Sequence, residues 1–164
     1  MLFLKNYSHI NFKLNNESII MKALLISVFL IVTSSLSLSS AEQDIKNRQN
    51  AMQQVRESVK VLFPMAKGKT EYDDFVVISM LEQMLTAAKP YASFFPDQPE
   101  VGVSSEAAET IWTDRSGFEK ALEKFLTDIE AAVIAEPETL EDFKPLFANI
   151  TSNCQSCHQV YRMK

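Results

Sequence analysis

Two thiols and one imidazole stand together near the C-terminus, in Asn153-Cys154-Gln155-Ser156-Cys157-His158. Cys-x-x-Cys-His is the spacing of c-type haem attachment. Two thiols three residues apart can each form a thioether with one former vinyl group of a porphyrin, and the next residue's imidazole is carried beneath the iron as an axial ligand. On a helix, Cys154 and Cys157 share one face and His158, four residues after Cys154, lies beside them. The same residue types suit zinc, which needs a fourth ligand. His158 is the only histidine after Ala41 and the chain has no third cysteine, so a carboxylate would have to complete such a site. The adjacent cysteine and histidine are also poorly spaced to chelate one ion together. A disulfide closing so tight a loop would do little to staple a fold. A catalytic redox pair would want a strand leading into a helix, a pattern the chain lacks. The pentad therefore points to one haem c (iron) per chain, bonded to Cys154 and Cys157 and with its iron held by His158.

The elements that must position this group read as four helices. Ile45, Met52, Val55, Val59, Leu62 and Phe63 make an apolar stripe from about Gln43 to Ala66, with Arg48 on the same stripe and Gly68 beyond its end. A second stripe, Phe75, Ile78, Leu81, Leu85, Ala88 and Ala92, starts behind the carboxylates of Asp73 and Asp74 and runs toward Phe95. Pro90 should bend it or bring its end earlier. Pro96 to Ser104 reads as a loop. A third helix is expected from Ser104 or Ser105 through Ile111 and Trp112, with a break at Gly117. Its stripe then resumes as Phe118, Leu122, Phe125, Ile129 and Val133, and Pro137 ends it. The fourth has the sharpest pattern: Leu140, Phe143, Phe147, Ile150, Cys154, Cys157 and Tyr161, alternately three and four apart. Pro145 is expected in the first turn of its main part, after a short turn at Leu140–Phe143. Stripes of similar length with short connections predict an all-α, up-down-up-down antiparallel four-helix bundle around a covalently bound haem.

Upstream, Ala23 to Val32 is an apolar run led by Met21-Lys22 and followed by small and polar residues, the layout of a secretory signal peptide. It is too short for a lasting membrane anchor. Ser39 and Ala41 fit a cut before Glu42, which divides the chain into 1–41, an N-terminal extension and signal, and 42–164, the haem domain. The first 41 residues hold three of the 16 basic residues and one of the 21 acidic ones, so the remainder carries 13 against 20, a formal charge of −7. No basic cluster is left for nucleic acid, an anionic membrane surface would repel the cleaved protein, and cationic patches on a redox partner are the complement its overall charge suggests.

With these residues in view, the chain over 42–164 resembles the cytochrome c-prime family, the class II c-type cytochromes. The haem motif lies at the extreme C-terminus, followed by Tyr161 and Arg162. Arg48-Gln49-Asn50-Ala51-Met52 resembles the element at the family's open haem side, and Pro90-Tyr91-Ala92-Ser93-Phe94-Phe95 and Ile111-Trp112-Thr113-Asp114 with Phe118 resemble two further stretches. The resemblance implies a periplasmic electron-transfer protein and a homodimer. It also implies that Arg48 lies near the haem propionates and Met52 against the distal face; Arg162, one turn beyond His158, is expected either to act as Arg48 does or to neutralise charge around the imidazole. Met52 either crowds the sixth site, leaving five-coordinate iron that binds nitric oxide or carbon monoxide, or ligates it in a low-spin carrier. The first is the expectation adopted. The partners expected are a redox protein or a small gaseous ligand. No enzyme is expected, because 42–164 offers no second histidine and no evident distal acid–base pair.

Cells expressing the whole chain should accumulate, in the periplasm, a protein beginning at Glu42. An intact mass that retains residues 21–41 on the mature protein would overturn the export reading.

Overall fold

The computed structural model describes residues 40–99 and 104–163, and residues 42–164 form one compact unit. The expected signal segment lies outside the described residues. The fold is the all-α, up-down-up-down four-helix bundle. Its helices are α1 over residues 40–66, α2 Asp74–Ala88, a short α3 Thr110–Thr113, α4 Arg115–Ala135 and α5 Leu140–Tyr161. Among the described residues, no helix is long and apolar enough to cross a membrane.

Local chemistry fixes the ends. Gly68, at φ 64°, closes α1 in a Schellman arrangement, with Lys69 N–H donating to Pro64 O (2.8 Å) and Gly68 N–H to Met65 O (2.8 Å). Asp73 caps α2 by accepting from Val76 N–H at 3.0 Å. Pro90 brings the end of α2 forward to Ala88, and the chain continues as one 3₁₀ turn, Tyr91–Phe94. The expected start of the third helix at Ser104 or Ser105 is not realised. That segment is extended, Ser105 Oγ accepts from Ala107 N–H, and α3 begins only at Thr110. The break also falls at Asp114 instead of Gly117, because Asp114 leaves the helical conformation (φ −127°, ψ 57°) and caps α4 by accepting from Gly117 N–H. Last, α5 is continuous from Leu140. Thr139 caps it through Asp142 N–H, and Pro145 sits inside it with its missing donor opposite the exposed Glu141 carbonyl.

The core is Val55 and Leu62 of α1, Val77, Leu81 and Met84 of α2, Leu122, Phe125 and Ile129 of α4, and Phe143, Phe147 and Ile150 of α5. Two expectations are corrected here. Phe75 is 85% exposed and Phe63 47% exposed. The buried stripe of α2 runs Val77, Leu81, Met84, Ala88, and Phe75, two residues before Val77, falls outside it. Three polar side chains are buried among the described residues, Arg48, Ser58 and Asn153. Ser58 donates to Gln54 O and accepts from Gln83 of α2, and Asn153 donates to Asn149 O and, at 2.6 Å, to Asp128 of α4.

Burial alone would raise the Asp128 carboxyl, but hydrogen bonds from Lys124 and Asn153, with the Lys124 charge, hold it below the usual carboxylate range. A depressed folded value means the contribution is present at neutral pH and lost as pH falls through that value. Asp128→Ala should cost about 1 kcal/mol in denaturant titrations at pH 7. That cost should shrink below about pH 4, where unfolded aspartates protonate, and vanish once the folded carboxyl is protonated too. An equal cost at pH 7 and at the acid end would refute it.

Candidate functional site

The stripe that buries Phe143, Phe147 and Ile150 continues along α5 into Cys154, Cys157 and Tyr161, which are half-buried because no helix lies flush against them. They face a cavity of about 600 Å³, within the range of pockets that enclose a ligand of several rings. Opposite, α1 presents Arg48, Met52 and Arg56, and α4 contributes Phe118, Leu122 and Phe125. The two cysteines are not joined to each other.

One wall is a separate aromatic cluster of Phe95, Ile111 and Phe118, with Tyr91, Trp112 and Tyr161 packed around it. Phe95 and Phe118 meet edge to face at 4.9 Å, Tyr91 and Phe95 at 5.3 Å, and Phe118 and Tyr161 at 5.5 Å. Trp112 is held by its indole N–H on Pro96 O at 2.9 Å. The buried Arg48 guanidinium lies 4.4 Å from the centre of the Phe95 ring.

The C-terminal end of α5 is clasped. Ala108 N–H donates to Tyr161 O and Met163 N–H to Glu106 O, an isolated bridge pairs Ala107 with Arg162, and Arg162 meets Glu106 in an ion pair at 2.6 Å. Tyr161 Oη also donates to Asp114, whose other oxygen caps α4. Gly117 is required at this crossing, because a Cβ there would overlap Asp114 Oδ2 and come 2.6 Å from Tyr161 Oη.

Electrostatics follow from burial. His158 is held below its usual range by burial, then by Arg162 and Arg56, against an opposing pull from Glu106, which favours the neutral imidazole that metal ligation needs. Burial pushes both thiols up, offset at Cys154 by a backbone hydrogen bond and reinforced at Cys157 by its neighbour. Tyr91 is pushed up to about 12 by burial and then by Cys157, with Arg48 and Arg162 opposing.

Cys154, Cys157, His158, Arg48, Met52 and Arg162 all line this one cavity. Arg162 does so with its guanidinium already paired to Glu106. Sequence reasoning passed over Arg56, although it lies four residues beyond Met52, a spacing that could have found it. It also passed over Asn153 and Glu106, for which no local signal exists. Among the described residues, no three groups drawn from histidine, cysteine and carboxylate converge as a site for a bare ion would require.

Comparison with known proteins gives a consistent result. A family model described as Cytochrome C' matches residues 43–162. The chain is 29% identical over 148 residues to cytochrome c' of Rhodopseudomonas palustris, covering 88% of this chain and 99% of that one. It is 28% identical to cytochrome c-556 of Agrobacterium fabrum over 124 residues, covering 76% and 84%. Among solved structures, cytochrome c' of R. palustris superposes with a TM-score of 0.68 at 26% identity, covering 74% of this chain and 96% of that one. The nitric oxide complex of a mutant cytochrome c' from Alcaligenes xylosoxidans gives 0.67 at 25% identity, covering 76% and 96%.

Proposed function

The chain belongs to the cytochrome c' family of electron-transfer haem proteins, and on that premise we propose that it carries one haem c on Cys154 and Cys157, with His158 on the iron and Met52 guarding an open sixth position for nitric oxide or carbon monoxide. The observation that carries this reading is the single cavity onto which the thiols, the imidazole, Arg48 and Met52 all face. The donor set also fits a porphyrin better than a bare ion, because the three motif side chains sit along one helix face beside an apolar wall.

The bound haem supplies a one-electron couple and an axial position for a small neutral ligand. The remaining work belongs to the chain. Cys154 and Cys157 would hold the haem, their thiols being placed to form thioethers with its two vinyl groups. Partial desolvation and the charges of Arg162 and Arg56 disfavour protonation of His158, which favours an available lone pair. Arg48 offers a bidentate fork to a carboxylate on the ring edge. Met52 packs against the main core and lines the cavity, so its thioether takes up space on the α1 side. With Leu122, Phe125 and Val59 it forms a surface that solvates charged ligands poorly and tolerates neutral diatomic ones. The nitric oxide complex of the Alcaligenes xylosoxidans relative supports that ligand class. The family is one of electron carriers and not of enzymes. A periplasmic location after loss of residues 1–41, and a homodimer, complete the proposal.

Replacing both Cys154 and Cys157 with alanine should let acidified organic solvent extract the haem and leave a poorly folded apoprotein. Haem still covalently held in that variant would refute the attachment.

Spectra of the wild type should be those of high-spin, five-coordinate ferrous iron, and Met52→Ala should tighten carbon monoxide binding at least about tenfold, the ~1.4 kcal/mol that displacing one side chain is worth. A low-spin wild type with the long-wavelength ferric band of methionine-ligated haem, lost in Met52→Ala, would refute the open site and leave a Met/His-ligated electron carrier.

A further inference from the structure

The chain has only four arginines, and three of them, Arg48, Arg56 and Arg162, line the cavity. Their situations differ. Arg48 is buried over Phe95 and Arg162 is paired with Glu106. Arg115, away from the cavity, is paired with Glu119. Arg56 is exposed, and among the described residues no carboxylate lies within ion-pair distance of it, the adjacent Glu57 being paired with Lys60. Arg48, Met52 and Arg56 recur every four residues and so share one face of α1, with Arg48 and Arg56 about 12 Å apart along the axis. Arg56 thus stands at the rim on the His158 side, and its charge reaches that imidazole. Exposed Gln49 and Gln53 line the cavity beside it, and exposed Val160 and Met163 follow the haem motif.

The rest of the molecule has the opposite sign. At the far end of the bundle, residues 71–74 and 136–142 carry seven carboxylates. The two loops are in contact, with Tyr72 Oη donating to Pro137 O at 2.6 Å. From Leu140 to His158, α5 separates that end from the cavity mouth by about 27 Å, several Debye lengths at physiological salt. The net charge of −5 therefore misdescribes the mouth, where the one carboxylate of the lining, Glu106, is neutralised by Arg162 and Arg56 stands beside amides and apolar side chains.

We propose that Arg56 is the docking residue of the cavity mouth and that it receives a carboxylate on the surface of an acidic electron-transfer partner. The inference rests on the haem reading above. It reverses, for this face, the cationic partner that total charge suggests. The acidic far end would repel the same partner and turn the mouth toward it. The electron passes outer-sphere between the two redox centres, with no bond made or broken and no proton moved. Arg56 touches neither centre, so its role is to position the partner.

The test uses ferrous holoprotein and two one-electron oxidants of opposite charge, hexacyanoferrate(III) and tris(phenanthroline)cobalt(III), at low ionic strength. In Arg56→Glu, oxidation by the anion should slow about tenfold and oxidation by the cation should quicken. Arg56→Lys should keep the wild-type ratio, and the differences should collapse near 1 M salt, where screening acts over about 3 Å. A redox-inert readout accompanies the rates. Hexacyanochromate(III) should broaden amide NMR signals around residues 49–56 and 158–163 in the wild type and not in Arg56→Glu. An unchanged anion-to-cation ratio in Arg56→Glu would overturn the proposal. So would a shifted reduction potential with an unchanged ratio, which would assign Arg56 to the haem carboxylates. Failure of the haem reading is distinct: the purified protein would then have no haem absorbance to oxidise, and both conclusions would fall.

Discussion

The cavity in a domain this small is the constraint on which the rest of the structure depends. The cavity, of about 600 Å³, leaves apolar walls open to water, and each Å² so exposed forgoes roughly 25 cal/mol of burial in a domain whose whole stability is of the order of 5–15 kcal/mol. The bundle and the haem that its family carries therefore make sense as one thermodynamic unit, and the polypeptide's task is to keep the walls in register until the two are joined. The covalent attachment proposed above would suit that task, because a thioether cannot be lost by dissociation. The walls are then built against their own collapse, with a second aromatic cluster around Phe95 and Phe118 standing apart from the main core.

Register is set chiefly by α5. Its lower half is anchored by Phe143, Phe147 and Ile150, and Asn153, immediately before the motif, is tied to Asp128 of α4. Two turns further on, Tyr161 bonds Asp114, and the backbone there pairs with residues 106–108. The segment bearing both thiols and the imidazole is thus fixed at its two ends, and its middle is left without close protein neighbours. A site built this way needs few polar contacts of its own. Its precision comes from the hydrogen bonds that tie down the two ends of the segment, each worth about 1 kcal/mol.

How much of this the sequence discloses depends on the range of the interaction. The α5 stripe is legible because its seven apolar or thiol positions follow one period over 22 residues, and because a Cys-x-x-Cys-His pentad has few other uses. Capping by Asp73 and the closing glycine at 68 are legible for the same local reason. Phe75 misleads because it keeps a three-residue spacing with Ile78 and Leu81 in the sequence, while the stripe that is buried runs through Val77, Leu81, Met84 and Ala88 and leaves it exposed. Ser104 and Ser105 mislead because serine before an apolar run imitates a cap. What holds that segment extended is the end of α5, more than fifty residues away, through Arg162 on Glu106 and the paired backbone. No periodicity within either segment reports it. The buried pairs Ser58–Gln83 and Asn153–Asp128 are hidden likewise, each partner reading as an ordinary surface residue until the helices are laid side by side.

On α1, the four-residue recurrence of Arg48, Met52 and Arg56 places three different tasks on one helical face. A buried cation stacks on an aromatic wall, a thioether fills the space beside it, and an exposed cation stands at the rim. Because all three ride on one rigid element, a small rotation or slide of α1 moves them together. Advancing Met52 into the cavity would carry Arg56 along the rim and press Arg48 against Phe95. Ala51, Ser58 and Leu62, buried on the same helix and not among the residues that line the cavity, oppose that displacement. The place of the Met52 thioether in the cavity is therefore set by packing behind α1 as much as by the identity of residue 52.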